Sequence, residues 1–176
     1  MKKILAFAGS TSSTSINKKL ATFAADNLEN TSFDVIDLRD FEMPMYSEDE
    51  EKNGFSENAK KFSSLLDMYD GFILSLAEHN GSYAAAFKNI FDWSSRIEAT
   101  VFRDKPLLLM ATSPGGMGGR FVLEAGTQKF SRMGAKELIS FSFPNFHDNF
   151  KEGEIIHEDL LKSLKEHLVK FENAVN

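Results

Sequence analysis

Short apolar runs alternate along the chain with stretches in which apolar residues recur at helical spacing. The runs predict five buried strands, at residues 4–8, 33–38, 71–76, 106–111 and 137–141. Apolar residues three and four positions apart predict five helices, at residues 16–28, 55–69, 84–96, 120–133 and 160–175. Because strands that alternate with helices usually form a parallel sheet covered on both faces, the pattern predicts an α/β protein.

No linker or internal repeat divides the chain, so residues 1–176 are predicted to form a single domain. The predicted architecture is a three-layer, doubly wound sandwich with a five-stranded parallel sheet and right-handed crossovers. Periodicity does not distinguish the possible strand orders, and among them we favour the flavodoxin-like order 2-1-3-4-5. In such a sheet the loops after strands one, three and four converge at the carboxyl ends of the strands, where ligands bind.

Composition restricts the classes of partner. A net charge of −6 and a pI near 5.3 argue against nucleic acid or an anionic membrane as the main partner. No apolar run approaches the roughly 20 residues of a membrane span, and no cleavage site follows the first apolar run. We therefore expect a cytoplasmic protein. The absence of cysteine excludes disulfides, a thiolate nucleophile and cysteine-ligated metal, and no metal site is predicted.

The loop after the first strand is the first candidate site. Six consecutive hydroxyl residues, Ser10 to Ser15, follow Gly9 and precede the first helix. A small-residue loop that opens a helix presents free backbone N–H groups and the positive end of the helix dipole, which together suit a phosphate. With no lysine in the loop, a cofactor phosphomonoester fits better than a nucleoside triphosphate. The alternative is a Ser/Thr-rich turn in which Ser15 caps the helix. Neither GxxxxGK[ST] nor GxGxxG occurs, so neither a P-loop nor a Rossmann dinucleotide site is indicated.

The loop after the third strand, residues 77–83, is the second candidate. His79 could act as a general base, but no nucleophile is evident beside it, and an imidazole at the surface or the edge of a pocket is the better interpretation. Asn80 and Gly81 supply a turn and amide groups that suit a heterocycle. In the helix that follows, Lys88 and Asp92 are spaced for an ion pair, whereas Trp93 is more typical of a core or interface.

The third candidate is the loop after the fourth strand, residues 113–119, which contains four glycines. Without a Cβ, backbone can approach a flat ligand closely and turn its N–H groups toward it. The alternative is a flexible linker, although Pro114 and the position between a strand and a helix favour a built site. Arg120 could serve a cofactor anion or a subunit interface. A long segment, residues 39–54, is predicted to be irregular and to act as a lid or interface element, or as an acidic surface loop at residues 48–51.

In combination, these motifs resemble the NADPH-dependent FMN reductase family, flavodoxin-like enzymes that also include quinone, chromate and azo-dye reductases. The resemblance extends from the first strand to the last helix. Gly9-Ser10 with Ser15 and Asn17 resembles the family pattern GS-x-R-x-x-S-x-N. Glu78 with Asn80-Gly81-Ser82 is similar to P-E-Y-N-G-S, and Lys88-Asn89 with Asp92-Trp93 is similar to K-N-x-x-D-W. Residues 113–119 resemble S-P-G-G-x-G-G.

The resemblance implies bound FMN, with NADPH or NADH as a transient electron donor and a quinone, free flavin or similar small molecule as acceptor. It implies that the first loop holds the phosphate, that residues 77–83 border the isoalloxazine edge, and that the glycine loop donates N–H groups to the pyrimidine end. The implied cofactor-binding residues are Gly9, Ser10, Thr11, Ser15, Ile16, Asn17, Glu78, His79, Asn80, Gly81, Ser113, Gly115, Gly116 and Gly118. Hydride transfer needs no side chain as acid or base, so no catalytic residue is predicted.

Three positions depart from the family pattern. Ser12 stands in place of an arginine, which removes a charge-assisted partner typically worth about 1.5–3 kcal/mol. Ala77 replaces a proline, and His79 replaces a tyrosine. Two alternatives therefore stay open: a flavodoxin-type one-electron carrier, whose acidic charge would suit a basic redox partner, and a flavin-less protein that kept the fold.

Aromatic and methionine residues on the ligand side predict a homodimer or homotetramer with the flavin near the interface. The predicted interface residues are Met43, Met45, Tyr46, Phe87, Phe91, Trp93, Phe141, Phe143, Phe146 and Phe150. Left exposed, such a patch would be unusual on a monomer. The alternative is that these side chains fill the core.

Overall fold

A central parallel sheet organises the structure, a computed structural model that describes all residues, 1–176. The strands are β1 (Lys3–Gly9), β2 (Ser32–Val35), β3 (Gly71–His79), β4 (Ser82–Tyr83), β5 (Lys105–Thr112), β6 (Ala135–Phe143), β7 (Phe150–Lys151) and β8 (Glu154–Ile155). The helices are α1 (Ile16–Asp26), α2 (Glu48–Lys52), α3 (Glu57–Asp67), α4 (Ala85–Ile97), α5 (Arg120–Phe130), α6 (Phe146–Asn149) and α7 (Glu158–Val175), with a 3₁₀ turn at Leu38–Phe41. None of the helices is long and apolar enough to cross a membrane.

The sheet has the order β2-β1-β3-β5-β6, and every neighbouring pair in this order is parallel. The short strand β4 pairs antiparallel with the end of β3, outside this path. Counted over the five long strands, the order is the predicted 2-1-3-4-5. The predicted α/β, flavodoxin-like fold is therefore confirmed.

Helices cover both faces of the sheet, as predicted. Leu5 and Phe7 of β1 pack with α3, α4 and α5 on one face, whereas Ile4 and Ala6 pack with α1 and α7 on the other. Because both faces are covered, alternate residues of the central strands enter different cores, and the strands read as continuous apolar runs.

Aromatic side chains fill these two cores. Among the aromatic residues predicted for an interface, those that are buried within this chain are Phe87, Phe91, Trp93, Phe141, Phe143, Phe146 and Phe150. Their rings pack against one another, as in the parallel stack of Phe146 on Phe150 with ring centroids 4.8 Å apart. The sequence argument that left them exposed was wrong, because the sheet, α4 and the segment after β6 bury them.

Two predicted boundaries need correction. Strand β2 ends at Val35 and a 3₁₀ turn follows, so the predicted strand was too long. Strand β3 continues to His79, because Glu78 and His79 pair with β4 around a turn in which Asn80 and Gly81 have φ of 52° and 74°. The predicted Asn-Gly turn is thus confirmed, but it closes a hairpin rather than an open loop.

The segment after β2 is more ordered than predicted. Its acidic run forms the exposed helix α2, capped by the Ser47 side chain, where carboxylates in the first turn interact favourably with the helix dipole. Helix α4 holds the part before α2: the Asn89 side chain accepts from Tyr46 N at 2.8 Å and donates to Pro44 O at 3.0 Å. Trp93 Nε1 donates to the same carbonyl at 2.8 Å. Two residues of the K-N-x-x-D-W pattern therefore fasten this segment, and Trp93 is a core residue.

Candidate functional site

The loops after β1, β3 and β5 meet at the carboxyl edge of the sheet and line a cleft of about 440 Å³, here called the loop cleft. Seven of the predicted site residues line it: Ser10, Ser15, Ile16, Asn17, Glu78, His79 and Ser113. The other seven do not line it: Gly9, Thr11, Asn80, Gly81, Gly115, Gly116 and Gly118. The convergence of three sequence-distant loops at one cleft is as the doubly wound fold predicts.

The first loop presents unpaired backbone N–H groups. Its internal hydrogen bonds use the N–H groups of Ser12, Thr14 and Ser15. The N–H groups that have no partner in the protein belong to Ser10, Thr11, Ser13, Ile16 and Asn17. Two of these open helix α1, where the helix dipole adds partial positive charge. The Ser15 hydroxyl accepts from Lys18 N at 3.1 Å, so the predicted helix cap is present and leaves the other N–H groups free for an anion.

The Asn17 side chain is engaged in the protein frame. It is 3% exposed; Nδ2 donates to Thr112 O at 3.3 Å, and Oδ1 accepts from Ser75 Oγ at 2.7 Å and Thr112 N at 3.1 Å. These bonds tie the start of α1 to β3 and β5. The Asn17 side chain therefore positions the first loop, and only the backbone N–H of Asn17 is left for a ligand.

Glu78 joins the second loop to the third. Its Oε2 accepts from Val122 N in the first turn of α5 at 3.0 Å, where a carboxylate interacts favourably with the helix dipole. In the same hairpin, Tyr83 turns inward and its ring lies 5.8 Å from Phe87 and 5.9 Å from Phe130. Burial raises the pKa of Tyr83, and its hydroxyl has no hydrogen-bond partner. Since Tyr83 turns inward, His79 is the ring of this hairpin that lies exposed.

Backbone hydrogen bonds fix the glycine loop. Asn145 N donates to Gly115 O at 3.0 Å, and Phe146 N donates to Ser113 O at 3.1 Å. The flexible-linker alternative is therefore wrong. The N–H groups of Gly115 and Gly116 have no partner in the protein, and a Cβ at Gly115 would meet nothing within 4 Å. A flat ligand can approach this part of the backbone closely.

Two other glycines serve packing. Gly118 has φ of 57°, and a Cβ there would collide with Ser142 Oγ and lie 3.0 Å from Pro144 N. A Cβ on Gly9 would lie 3.0 Å from Leu76 Cδ2 and 3.2 Å from Phe87 Cγ. A bulky residue at Gly9 would therefore disturb the fold, because this glycine lets the end of β1 pack against β3 and α4.

Two basic residues that sequence reasoning did not assign to the site also line the loop cleft. Lys19 lies in the first turns of α1, and His147 lies in α6, after the last long strand. The neighbouring Lys18 has a partner, since its Nζ lies 2.6 Å from Asp37 Oδ2. Hydrogen bonds from Arg39, and also from Lys18, hold the pKa of Asp37 well below its usual range. Lys19 forms no ion pair, so it is the uncompensated cation beside the first loop.

The fold, with free backbone N–H groups at the carboxyl edge of its sheet, defines a flavodoxin-like protein. The chain belongs to the NADPH-dependent FMN reductase family, whose family model matches residues 2–148. The predicted family is confirmed, and with it the enzyme class, an FMN-dependent oxidoreductase that uses NAD(P)H.

Individual relatives agree with this assignment. The chain is 29% identical over 177 residues to a 2-hydroxy-1,4-benzoquinone reductase of Burkholderia sp, covering 96% of this chain and 93% of the relative. It is 33% identical over 100 residues to an NADPH azoreductase of Bacillus sp. (strain OY1-2), covering 57% of this chain and 52% of the relative. Among solved structures, the flavoenzyme NAD(P)H:(acceptor) oxidoreductase FerB of Paracoccus denitrificans superposes with a TM-score of 0.79. That match covers 99% of this chain and 97% of FerB at 21% identity, and it supports the fold alone.

The residues at the carboxyl edge fit FMN. The free N–H groups of the first loop and the start of α1 suit a phosphate, and the loop contains no carboxylate. Gly115 and Gly116 present unpaired N–H groups on backbone that a ring can approach. The one carboxylate that lines the loop cleft, Glu78, already accepts from the Val122 amide.

Proposed function

We propose that this chain transfers hydride from NADPH or NADH to FMN bound at the loop cleft and passes the electrons on to a quinone, free flavin or similar small acceptor. We propose further that residues 1–176 form one FMN-binding domain. The observation that carries the proposal is the first loop, where five free backbone N–H groups surround the start of α1 beside the glycine loop.

The proposed binding residues divide by role. The free backbone N–H groups of Ser10, Thr11, Ile16 and Asn17 hold the phosphate, and Ser15 caps the helix beside them. The flavin ring is bordered by Glu78, His79, Asn80 and Gly81 from one loop, and by Ser113, Gly115 and Gly116 from the other. Gly9 and Gly118 act indirectly, by allowing these loops to pack.

When bound, FMN supplies the redox chemistry, and the protein supplies orientation and electrostatics. The unpaired N–H groups of Gly115 and Gly116 would stabilise negative charge on a flavin ring held beside them. No side chain at the site has to act as an acid or base in hydride transfer. Since the chain has a single doubly wound sheet, NAD(P)H and the acceptor would use the same cleft in turn, which would give ping-pong kinetics.

Cytoplasmic location and self-association belong to the same proposal. An absence of cysteine suits a reducing compartment. Apolar side chains that lie exposed after the carboxyl ends of strands are Met45, Met117 and Phe121, at 69%, 50% and 53%. We propose that these residues, rather than the buried aromatic residues, contribute to a homodimer or homotetramer near the flavin. A monomer by light scattering of the FMN-loaded protein would contradict this.

A charge at Thr11 tests the binding site. The Thr11 side chain is exposed and makes no hydrogen bond, so the fold should tolerate a substitution. Thr11→Glu adds a carboxylate to the loop whose N–H groups are proposed to hold the phosphate and should weaken FMN binding by about tenfold or more, since like charges a few ångströms apart near a surface repel by more than about 1.4 kcal/mol. The measurement is a titration of flavin fluorescence.

Thr11→Gln is the matched control, because it has the same size and no charge. It should bind FMN within about threefold of the unmodified protein, a difference of less than about 1 kcal/mol. Equal FMN affinity in all three proteins would show that the phosphate does not bind at the first loop.

A further inference from the structure

The first loop provides no charge for the phosphate that it is proposed to hold. Residues 9–17 contain no lysine, arginine or histidine, and Ser12 occupies the position of the family arginine. The Ser12 hydroxyl lies 3.4 Å from Thr14 Oγ1 and accepts from Thr14 N at 3.3 Å, so it stabilises the turn. A phosphomonoester carries nearly two negative charges at neutral pH, and charge-assisted hydrogen bonds to such an anion are about twice as strong as neutral ones.

Two basic side chains lie on the open side of this loop. A second cleft, of about 640 Å³, separates α1 from the β7–β8 hairpin and adjoins the loop cleft. Lys19 and His147 line both clefts, together with Thr14 and Ser15 of the first loop. They therefore stand where the two clefts join, next to the unpaired N–H groups.

The surroundings leave these two residues free to bind an anion. Lys19 is exposed and forms no ion pair, whereas Lys18 is bound to Asp37. The His147 ring packs edge-on against Phe146 with centroids 5.6 Å apart, and Phe146 is buried against Phe143 and Phe150. His147 itself is exposed. The carboxylates that line the second cleft are Asp26 and Glu152.

We propose that Lys19 and His147 form the open side of the phosphate site, where they take over the role of the absent arginine. The inference rests on the proposed function, because the anion is the phosphate of FMN. Lys19 supplies positive charge and ammonium donors, and His147 supplies a ring N–H donor. The two residues lie far apart in the sequence, so the site is complete only because the segment after β6 packs against α1.

Titrations with FMN and riboflavin test the inference, since riboflavin has the same ring and ribityl chain but no phosphate. Lys19→Gln should weaken FMN binding about tenfold, the loss expected for one hydrogen bond to a charged group. His147→Gln should weaken it about threefold, and neither change should alter riboflavin binding by more than about twofold. Lys18→Gln removes the same charge one residue away, from a side chain already paired with Asp37, and should leave FMN binding within about twofold.

The family arginine provides a rescue. Because Lys19 and His147 are proposed to replace the arginine, Ser12→Arg should tighten FMN binding much less in the unmodified protein than in Lys19→Gln, where it should restore most of the lost affinity. Thermal unfolding of each variant without flavin confirms that the fold is retained.

The outcomes separate this inference from the proposed function. If the unmodified protein binds no FMN, both fail. If it binds FMN while Lys19→Gln and His147→Gln behave like Lys18→Gln, the proposed function stands and the inference is overturned. Equal losses for FMN and riboflavin also overturn it, because they would show a distorted site rather than a lost phosphate contact.

Discussion

Replacing Asn17 with alanine should lower the free energy of unfolding by about 3 kcal/mol, because it leaves several buried polar groups without a hydrogen-bond partner at once. The Thr112 N–H and carbonyl and the Ser75 hydroxyl all lose their bonds to this one side chain. The start of α1 would no longer be tied to β3 and β5, so FMN binding should also be lost. Chemical denaturation and a flavin titration measure the two effects.

Asn27→Ala is the matched control. Asn27 caps the other end of the same helix, where its Nδ2 donates to Phe23 O at 2.9 Å on a partly exposed surface. This variant should lose less than about 1 kcal/mol and bind FMN normally. If Asn17→Ala were as stable as Asn27→Ala, the junction of the three elements would not depend on Asn17.

Two alanine substitutions in the glycine loop should have opposite effects. Gly118→Ala should destabilise the protein by about 2–4 kcal/mol, which combines a left-handed backbone with overpacking against Ser142 and Pro144. Gly115→Ala places its methyl group in open space and should leave the stability unchanged or raise it by up to about 1 kcal/mol. Thermal denaturation of the flavin-free proteins distinguishes them.

Flavin binding should then reveal what Gly115 is for. The unpaired backbone of Gly115 and Gly116 is proposed to border the ring. Gly115→Ala should therefore weaken the binding of FMN and of riboflavin to the same extent. An unchanged affinity for both flavins would place the ring away from this part of the loop. An undiminished stability of Gly118→Ala would show that the loop can relax around the added methyl group.

The sheet could be predicted because its central strands are buried on both faces and so appear as short apolar runs between helical patterns. The cleft at the carboxyl edge follows from the same topology, since Ser10, Glu78 and Ser113 all lie at or after the carboxyl ends of neighbouring strands. Local turns and caps could also be predicted, as the Asn80-Gly81 turn and the Ser15 cap of α1 show. Helix α2 and the extension of β3 were missed because hydrogen bonds to Ser47 and β4, not apolar spacing, define them.

Tertiary contacts decided what the sequence left open. Asn17 looked like a ligand contact, but its partners lie 58 and 95 residues away, and only the fold shows that its side chain is satisfied. His147 has no motif around it and reaches the loop cleft only through the position of α6. The phenylalanines between Phe141 and Phe150 were predicted to form an interface. They are instead buried by helix α7 and the β7–β8 hairpin, and nothing in the local sequence shows that these elements pack against them.

Anaerobic reduction of the FMN-loaded protein tests whether the chain uses FMN to move hydride from NAD(P)H to a small acceptor. Addition of NADPH or NADH should bleach the visible absorbance of the flavin, and a quinone or oxygen should restore it. The FMN-loaded Thr11→Gln protein should behave in the same way, whereas Thr11→Glu should show little bound flavin to reduce. If FMN binds firmly and neither nucleotide reduces it, while a one-electron donor does, the protein is an electron carrier and not an NAD(P)H oxidoreductase.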